Sequence, residues 1–374
     1  MPKKVLLATR PLVPPWDEAS KNFAYFLGRE VKNHELTLLT TKEKLARLPS
    51  TVTEAPIFES SDLNLSAKFR LFHYLRKKRG TFDVTHYLFT PTKQNSTLIK
   101  FLARPTKGKT VQTVATLRED LYTGEELRSL LFADHITVYT DLTKQKLENL
   151  DFNNVTRIYP GIDLDLYRPT AKDPKVLETY GLQPNDFFAI YPGEYTRLGA
   201  TDMLAEAFIE YFTKHPESTI KFLFACRIKN EADREKRETV RALVKKHDLE
   251  KKILFDENHA TFDMPTLYNT ADLVLFPAEN LRGKFDVPLV IIEAYACGKP
   301  VILSDLPQFR EFTNRDICVT IPKDSGTQLI ESVAYLSQNE VERTRLGENA
   351  RRFVKDHFDL KNTAKQYEEI YSSI

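Results

Sequence analysis

Short apolar, β-branched runs alternate with longer segments of helical spacing along almost the whole chain, and this alternation restricts the fold more than any other feature. The first series of runs is KVLLATR, ELTLLTT, FDVTHYLF, KTVQTVATL, HITVYT and NVTRIYP. A second series is DFFAIYPG, TIKFLFAC, KKILFDE, ADLVLFPA, KPVILSD and DICVTIP. Segments of helical period lie between them, as at residues 21–31, 202–213 and 231–247. Strands alternating with helices build parallel, doubly wound sheets. About twelve strands exceed an ordinary sheet of about four to six, so two sheets of about six are expected. The polar, proline-containing stretch DLDLYRPTAKDPKVLETYGLQP is the natural break between them.

The 374 residues are enough chain for two or three domains with real cores. A 41% hydrophobic and 28% charged composition is that of a globular protein, not a disordered one. A net charge of +2 makes no global case for nucleic acid. Cys226, Cys297 and Cys318 lie in or beside apolar runs, which suggests buried thiols in a reducing compartment. The opening MPKKVLLATRPLVPP has only a short apolar run, and no later run approaches the length of a membrane span. The expected location is the cytoplasm, with any membrane contact peripheral.

In open α/β sheets, ligands bind beyond the carboxyl ends of the strands, where the strand order reverses. Chemistry is therefore sought in the loops that follow strands. The loop YPGEYTRLGATDMLAEAF places Gly193 and Gly199 around a turn that feeds a helix, with Arg197 between them. Glycine permits close backbone approach, a helix N-terminus offers unpaired N–H groups, and arginine adds a forked cation. That is either a phosphate site or an ordinary loop with a solvated arginine. Neither GxxxxGK[ST] nor GxGxxG is present. In VPLVIIEAYACGKPVILSD, Asp286 and Pro288 read as a helix start and Gly298 as its stop. Glu293 then falls in the middle of a helix that is apolar almost all round. A glutamate there needs a partner: a core arginine, or the two hydroxyls of a ribose. His86 ends a strand and is read as a satisfied structural histidine in preference to a ligand. No histidine has metal-ligand spacing, and no metal site is expected.

PLVIIEAYACGKPVILSD, VTRIYPGIDLDLYRP, LYNTADLVLFPA and the terminal HFDLKNTAKQYEEIY together resemble the retaining, nucleotide-sugar-dependent glycosyltransferases of the GT-B fold, the large family of mannosyl- and glucosyltransferases with a Glu-Ala-x-Ala-x-Gly helix. The likeness covers nearly all of the second half and touches the first mainly through strand order and DVTHYL. It implies two Rossmann-like doubly wound domains facing a cleft: residues 1–165 on the acceptor side, residues 166–357 on the nucleotide-sugar side, and a last helix, 358–374, returning to the first. It implies transfer of a sugar from a nucleotide diphosphate sugar to an acceptor hydroxyl with anomeric retention. Carried over by position, Glu293 would hold the ribose hydroxyls and Arg197 would neutralise the departing diphosphate. Amides from Asp286 through Leu289 to Val290 would face phosphate or sugar, beside Gly193 and Arg227. Arg197 and Asp286 are the catalytic candidates. No cofactor and no metal is expected, the acceptor would be lipid-linked or a saccharide, and nucleic acid is not a partner.

The sequence departs from the family pattern in several places. The first glutamate of the helix motif is Phe285, with Asp286 beside it, and the Gly-aromatic-Gly that follows is Asp286, Val287 and Pro288. Glu194 stands where an arginine is usual, and Leu198 where a lysine is usual, with Arg197 one place away. A common histidine is Ala115, and DEASK replaces an N-terminal glycine pair. Arg227 and Lys229 could supply a second cation or be solvated loop charges. These departures keep two alternatives open: a degenerate nucleotide-sugar-binding or scaffold protein, and an epimerase or hydrolase of the same fold. Finally, SAKFRLFHYLRKKRG, residues 66–80, interleaves basic and aromatic residues. It reads either as a packed helix with a solvated end or as a peripheral membrane contact.

Overall fold

The computed structural model describes residues 1–14, 16, 18–183, 185–256, 262–279 and 286–374. The chain divides into two compact units. One comprises Met1–Asp163 and Phe358–Ile374, together with Asp286 and Val287; the other runs from Leu164 and resumes at Pro288 to end at His357.

The first unit carries seven parallel strands: β1 (Lys4–Leu12), β2 (Glu35–Thr40), β3 (Val52–Pro56), β4 (Val84–Tyr87), β5 (Lys109–Val114), β6 (His135–Val138) and β7 (Val155–Arg157). Their order is β3-β2-β1-β4-β5-β6-β7, so winding reverses between β1 and β4. The second unit carries β8 (Phe187–Glu194), β9 (Ile220–Arg227), β10 (Ile253–Phe255), β11 (Leu273–Phe276), β12 (Val301–Ser304) and β13 (Val319–Ile321). Its order is β10-β9-β8-β11-β12-β13, and winding reverses between β8 and β11. Both sheets are α/β doubly wound. Central strands such as β4, β11 and β12 are buried at every residue, as a sheet covered on both faces requires.

The first sheet has seven strands where the apolar runs suggest six. The extra strand, β3, has the sequence VTEAP and is only partly buried. It is an edge strand, paired on one side only to β2, and an edge does not need a continuous apolar run. Asp286 is also not the helix cap it resembles. The helix Leu289–Ala296 starts after Pro288, whose side chain makes no cap bond. Asp286 belongs to the first unit, where its N–H donates to the Ala115 carbonyl at 3.0 Å.

The last helix, Leu360–Ser373, packs on the helix Ala19–Glu30. Glu368 fastens it by accepting the backbone N–H groups of Lys32 and Asn33 at 2.5 and 2.7 Å. His86 is fully buried, with Tyr371 at 2.7 Å and Thr113 at 2.6 Å on its two ring nitrogens. Burial lowers its pKa to about 3, so it is a neutral structural residue. No helix among the described residues is long and apolar enough to cross a membrane.

Gly298 ends the helix Leu289–Ala296 in the left-handed region, φ 70°, as a C′ residue should. The helix Glu340–His357 crosses there, and a Cβ at Gly347 would stand 2.1 Å from the Gly298 carbonyl oxygen. In an open helix, Gly→Ala gains up to about 1 kcal/mol. Here the obstacle is backbone, so the sign should reverse. Gly347→Ala is expected to lose about 1–3 kcal/mol, read as a lowered urea midpoint at unchanged m-value.

Candidate functional site

The second unit's switch point, between β8 and β11, is where a doubly wound sheet opens a crevice at its carboxyl edge. The loops leaving these two strands meet. Glu279, just past β11, donates its N–H to the Leu198 carbonyl at 2.9 Å. Gly199, with φ 77°, admits the Glu279 carboxyl into the space a Cβ would occupy. The helix Thr201–Lys214 begins directly after this turn.

Gly193 and Glu194 are the last residues of β8, paired in register with Cys226 and Arg227 at the end of β9. Strand register therefore places Glu194 beside Arg227. The Glu194 side chain is only 4% exposed, yet it gathers three cations that reach solvent. Arg227 donates from Nε and Nη2 to Glu194 Oε1 at 3.1 and 2.8 Å. Arg197 Nη1 lies 3.4 Å from Oε2, and Lys229 Nζ lies 3.5 Å from Oε1. Arg197, Arg227 and Lys229 are 32%, 36% and 36% exposed. Among the described residues, three cations thus converge on one carboxylate, and all three are partly exposed. Burial lowers the Lys229 pKa, the neighbouring Arg227 and Arg197 lower it further, and Glu194 opposes them.

Asp233 holds this arrangement in place, and the sequence reading passed over it. Asn230 caps the helix Glu231–Lys246 by accepting the Asp233 N–H. The buried Asp233 carboxylate reaches outward instead of back to the cap. It accepts the N–H and hydroxyl of Thr196 at 3.1 and 2.6 Å, and the N–H of Lys229 at 3.1 Å. The loop bearing Arg197 is thereby tied to the loop bearing Lys229. The local signal was an acidic residue three places after an asparagine, which ordinarily reads as capping alone.

Glu293 is built into a different cluster of the same unit. Ile291 and Ile292 beside it are buried, and Leu289 and Val290 form the first turn at partial exposure. The Tyr268 hydroxyl donates to Glu293 Oε2 at 3.1 Å, and Tyr167 supplies a second side-chain hydrogen bond. Burial pushes the Glu293 pKa up to about 7 against the pull of these two hydroxyls. Among the described residues it forms no ion pair, so the core-arginine partner is replaced by two tyrosines. Arg351, the nearby guanidinium, spends its donors on the carbonyls of Tyr167 and Ala296, both at 2.7 Å.

Asp286 sits with the first unit. Its carboxyl accepts the Thr143 hydroxyl at 2.5 Å, and burial raises its pKa to about 7. The structure therefore brings Arg197, Arg227 and Gly193 together through Glu194, and sets Glu293 and Asp286 in other surroundings. Phe285 lies outside the described residues. Among the described residues no group of three or more His, Cys, Asp or Glu is placed to hold a metal ion.

Residues 178–353 match the model of the family Glycosyl transferases group 1. A D-inositol 3-phosphate glycosyltransferase of Corynebacterium glutamicum is 22% identical over 324 residues, covering 81% of this chain and 75% of that protein. One from Rhodococcus opacus is 28% identical over 156 residues, covering 42% of this chain; the chain spans only 34% of that relative's length. Among solved structures, Anabaena HepE in complex with UDP and glucose superposes with a TM-score of 0.74 at 14% identity, covering both chains fully. Sucrose-phosphate synthase from Thermosynechococcus elongatus gives 0.75 at 15% identity, over 99% of this chain and 98% of that one.

Proposed function

We propose that this chain, which has the GT-B fold and matches the Glycosyl transferases group 1 model over residues 178–353, moves a sugar from a nucleotide diphosphate sugar to an acceptor hydroxyl with retention at the anomeric carbon. The observation that carries the reading is the cationic cluster of Arg197, Arg227 and Lys229 at the switch point of the second sheet. The reaction breaks the bond between the anomeric carbon and a phosphate oxygen and leaves the electron pair, as negative charge, on the diphosphate. Fixed cations aimed at that oxygen stabilise the charge as it develops. A buried carboxylate that pre-positions them removes the cost of gathering them during the reaction.

In this reading the usual arginine at position 194 is not simply lost. Glu194 recruits Arg227 and Lys229 from the neighbouring strand and Arg197 from its own loop, so the charge the family places in one loop is supplied from two. Side-chain cations take the diphosphate charge, and no metal is required. Glu293 accepts the ribose hydroxyls; a carboxylate has about four acceptor positions, and the two tyrosines leave capacity for a diol. The amides of Leu289 and Val290 face phosphate or sugar, and Asp286, whose carboxyl accepts the Thr143 hydroxyl, is the carboxyl to test as a substitute for the glutamate absent at Phe285. Uridine is the first base to test, because HepE is solved with UDP and glucose. The acceptor is a lipid-linked or saccharide hydroxyl, and a phosphorylated cyclitol belongs in the same screen because relatives are named for one.

Arg197→Ala tests the chemistry. With UDP-glucose and a panel of acceptors, turnover should fall about tenfold, the size of a lost charged hydrogen bond of about 1.5 kcal/mol. Uridine affinity should stay within twofold, because in this proposal Arg197 meets the diphosphate and not the nucleoside. Equal losses in both would mean that Arg197 acts on binding alone. Binding of UDP by the parent with no turnover of any donor would favour the degenerate-scaffold reading. Donor turnover that is independent of acceptor would favour the hydrolase or epimerase reading.

A further inference from the structure

Large apolar side chains that remain exposed in contiguous patches mark interaction surfaces. Half of the large apolar side chains exposed among the described residues belong to two neighbouring stretches of the first unit: Leu65, Phe69, Leu98, Phe101 and Leu102. They come from two neighbouring elements, the helix Leu65–Lys78 and the π-helical turn Ile99–Ala103 with the residue before it. The inner faces of both elements are spent on the same core, through Ala67 and Leu75 on one and Ile99 and Ala103 on the other. The outer faces are what remains. Leu65 is 84% exposed, Phe69 70% and Phe101 80%.

Spacing explains the patch. Leu65, Phe69, His73 and Arg76 recur at three- and four-residue intervals, so they form one stripe along the helix, and Phe69 and His73 stack at 6.5 Å. The stripe begins apolar and ends basic, where Arg76 and Lys77 close the helix. Leu98, Phe101 and Leu102 repeat the same spacing on the adjoining turn. Arg70 is paired with Glu59, whereas Lys68, Arg76 and Lys77 enter no ion pair among the described residues. A partner for this face must be apolar within and anionic at its surface. A second copy of the chain would bring like charges together.

We propose that this two-element face docks the protein on the surface of an anionic lipid bilayer. Leu65, Phe69 and Phe101 enter the boundary between headgroups and acyl chains, and Lys68, Arg76 and Lys77 meet the headgroup charge. Such binding sums buried apolar area and electrostatic attraction. The helix alone, residues 66–80, would supply the charges but only part of the apolar wedge. The turn Ile99–Ala103 supplies the rest, which makes the surface two-dimensional and fixes its orientation. The docking is independent of the donor chemistry proposed above, so UDP binding serves as a fold control.

The test is co-sedimentation of the full chain with vesicles of phosphatidylglycerol and phosphatidylcholine, and with phosphatidylcholine alone, at low and high salt. The parent should sediment with the anionic vesicles at low salt and be released at high salt, as screening of surface charge requires. Each basic residue near an anionic surface changes partition about fivefold, so R76S/K77S should weaken it about 25-fold. F69S/F101S should weaken it at least tenfold while leaving the thermal midpoint and UDP binding unchanged, since neither side chain packs in the core. Absence of sedimentation by the parent, equal binding to neutral vesicles, or sedimentation untouched by F69S/F101S would overturn the proposal. So would a concentration-dependent dimer that F69S/F101S abolishes, because the face would then be covered by a second copy.

Discussion

Glu194→Gln should destabilise the protein by about 3–5 kcal/mol, the cost of stranding a charge by deleting its buried partner. The glutamine keeps the volume and one acceptor oxygen. It cannot offset three cations held within 3.5 Å of one carboxylate. Partial exposure of the cations moves the expectation toward the lower end of that range. Urea denaturation should show the loss as a lower midpoint at constant m-value, and it should shrink as salt rises. Inorganic pyrophosphate should restore more stability to the variant than to the parent, because the uncovered cations bind the anion more tightly and ligand binding raises apparent stability. A double variant, Glu194→Gln with Arg227→Ala, should lose less than the sum of the two single losses, since the removed groups are partners. Additive losses would show that the carboxylate and the guanidinium stabilise independently, and the pre-positioning argument for this cluster would fail with them.

The architecture was legible because parallel sheets leave a strong signature. Strands covered on both faces must be apolar along their length, and every such run became a strand. The strand that escaped, β3, is an edge, where half-solvated VTEAP forms a ladder without an apolar run. Local reading failed at Asp286 for a related reason. Asp before a helix and Pro in its first turn are capping signals, but the Asp286 carboxyl is taken by Thr143, more than a hundred residues earlier in the chain. A motif read in sequence cannot report a partner brought by the fold.

The candidate site was legible residue by residue and opaque as an arrangement. Arg197, Arg227 and Gly193 could each be singled out from loop chemistry, yet Glu194 looked only like a departure from a pattern. Its meaning depends on the register that sets it opposite Arg227, and register is a tertiary property. Asp233 was invisible for the same reason: its carboxylate acts across two loops, while its sequence context reads as a helix start. Glu293 was legible as a problem, a carboxylate in an apolar helix, but its answer in two tyrosine hydroxyls drawn from distant segments was not.

Those two hydroxyls lead to a pH-dependent result at Glu293. Its folded-state pKa is raised to about 7 from the ordinary glutamate value. In the unfolded chain the group ionises near 4.3. Between these values the unfolded state releases the proton and the folded state keeps it, so this residue's contribution is fully present below about pH 4 and declines as pH rises through 7. At 1.36 kcal/mol per unit the change amounts to about 4 kcal/mol at most. Glu293→Gln removes the titration while a glutamine oxygen can still accept a tyrosine hydroxyl, and it strands no arginine. The variant should therefore lose the decline, standing close to the parent at pH 4 and up to about 4 kcal/mol above it at pH 8. Chemical denaturation at the two pH values measures the difference. Titration with UDP separates structure from function: if Glu293 receives the ribose diol, affinity at pH 8 should fall about tenfold or more in the same variant. Parallel stability curves for parent and variant would mean that Glu293 is ionised and well solvated in the folded protein. A variant that is more stable at pH 8 and binds UDP unchanged would mark Glu293 as a buried acid that serves the helix and its two tyrosines, and would leave the ribose to other residues.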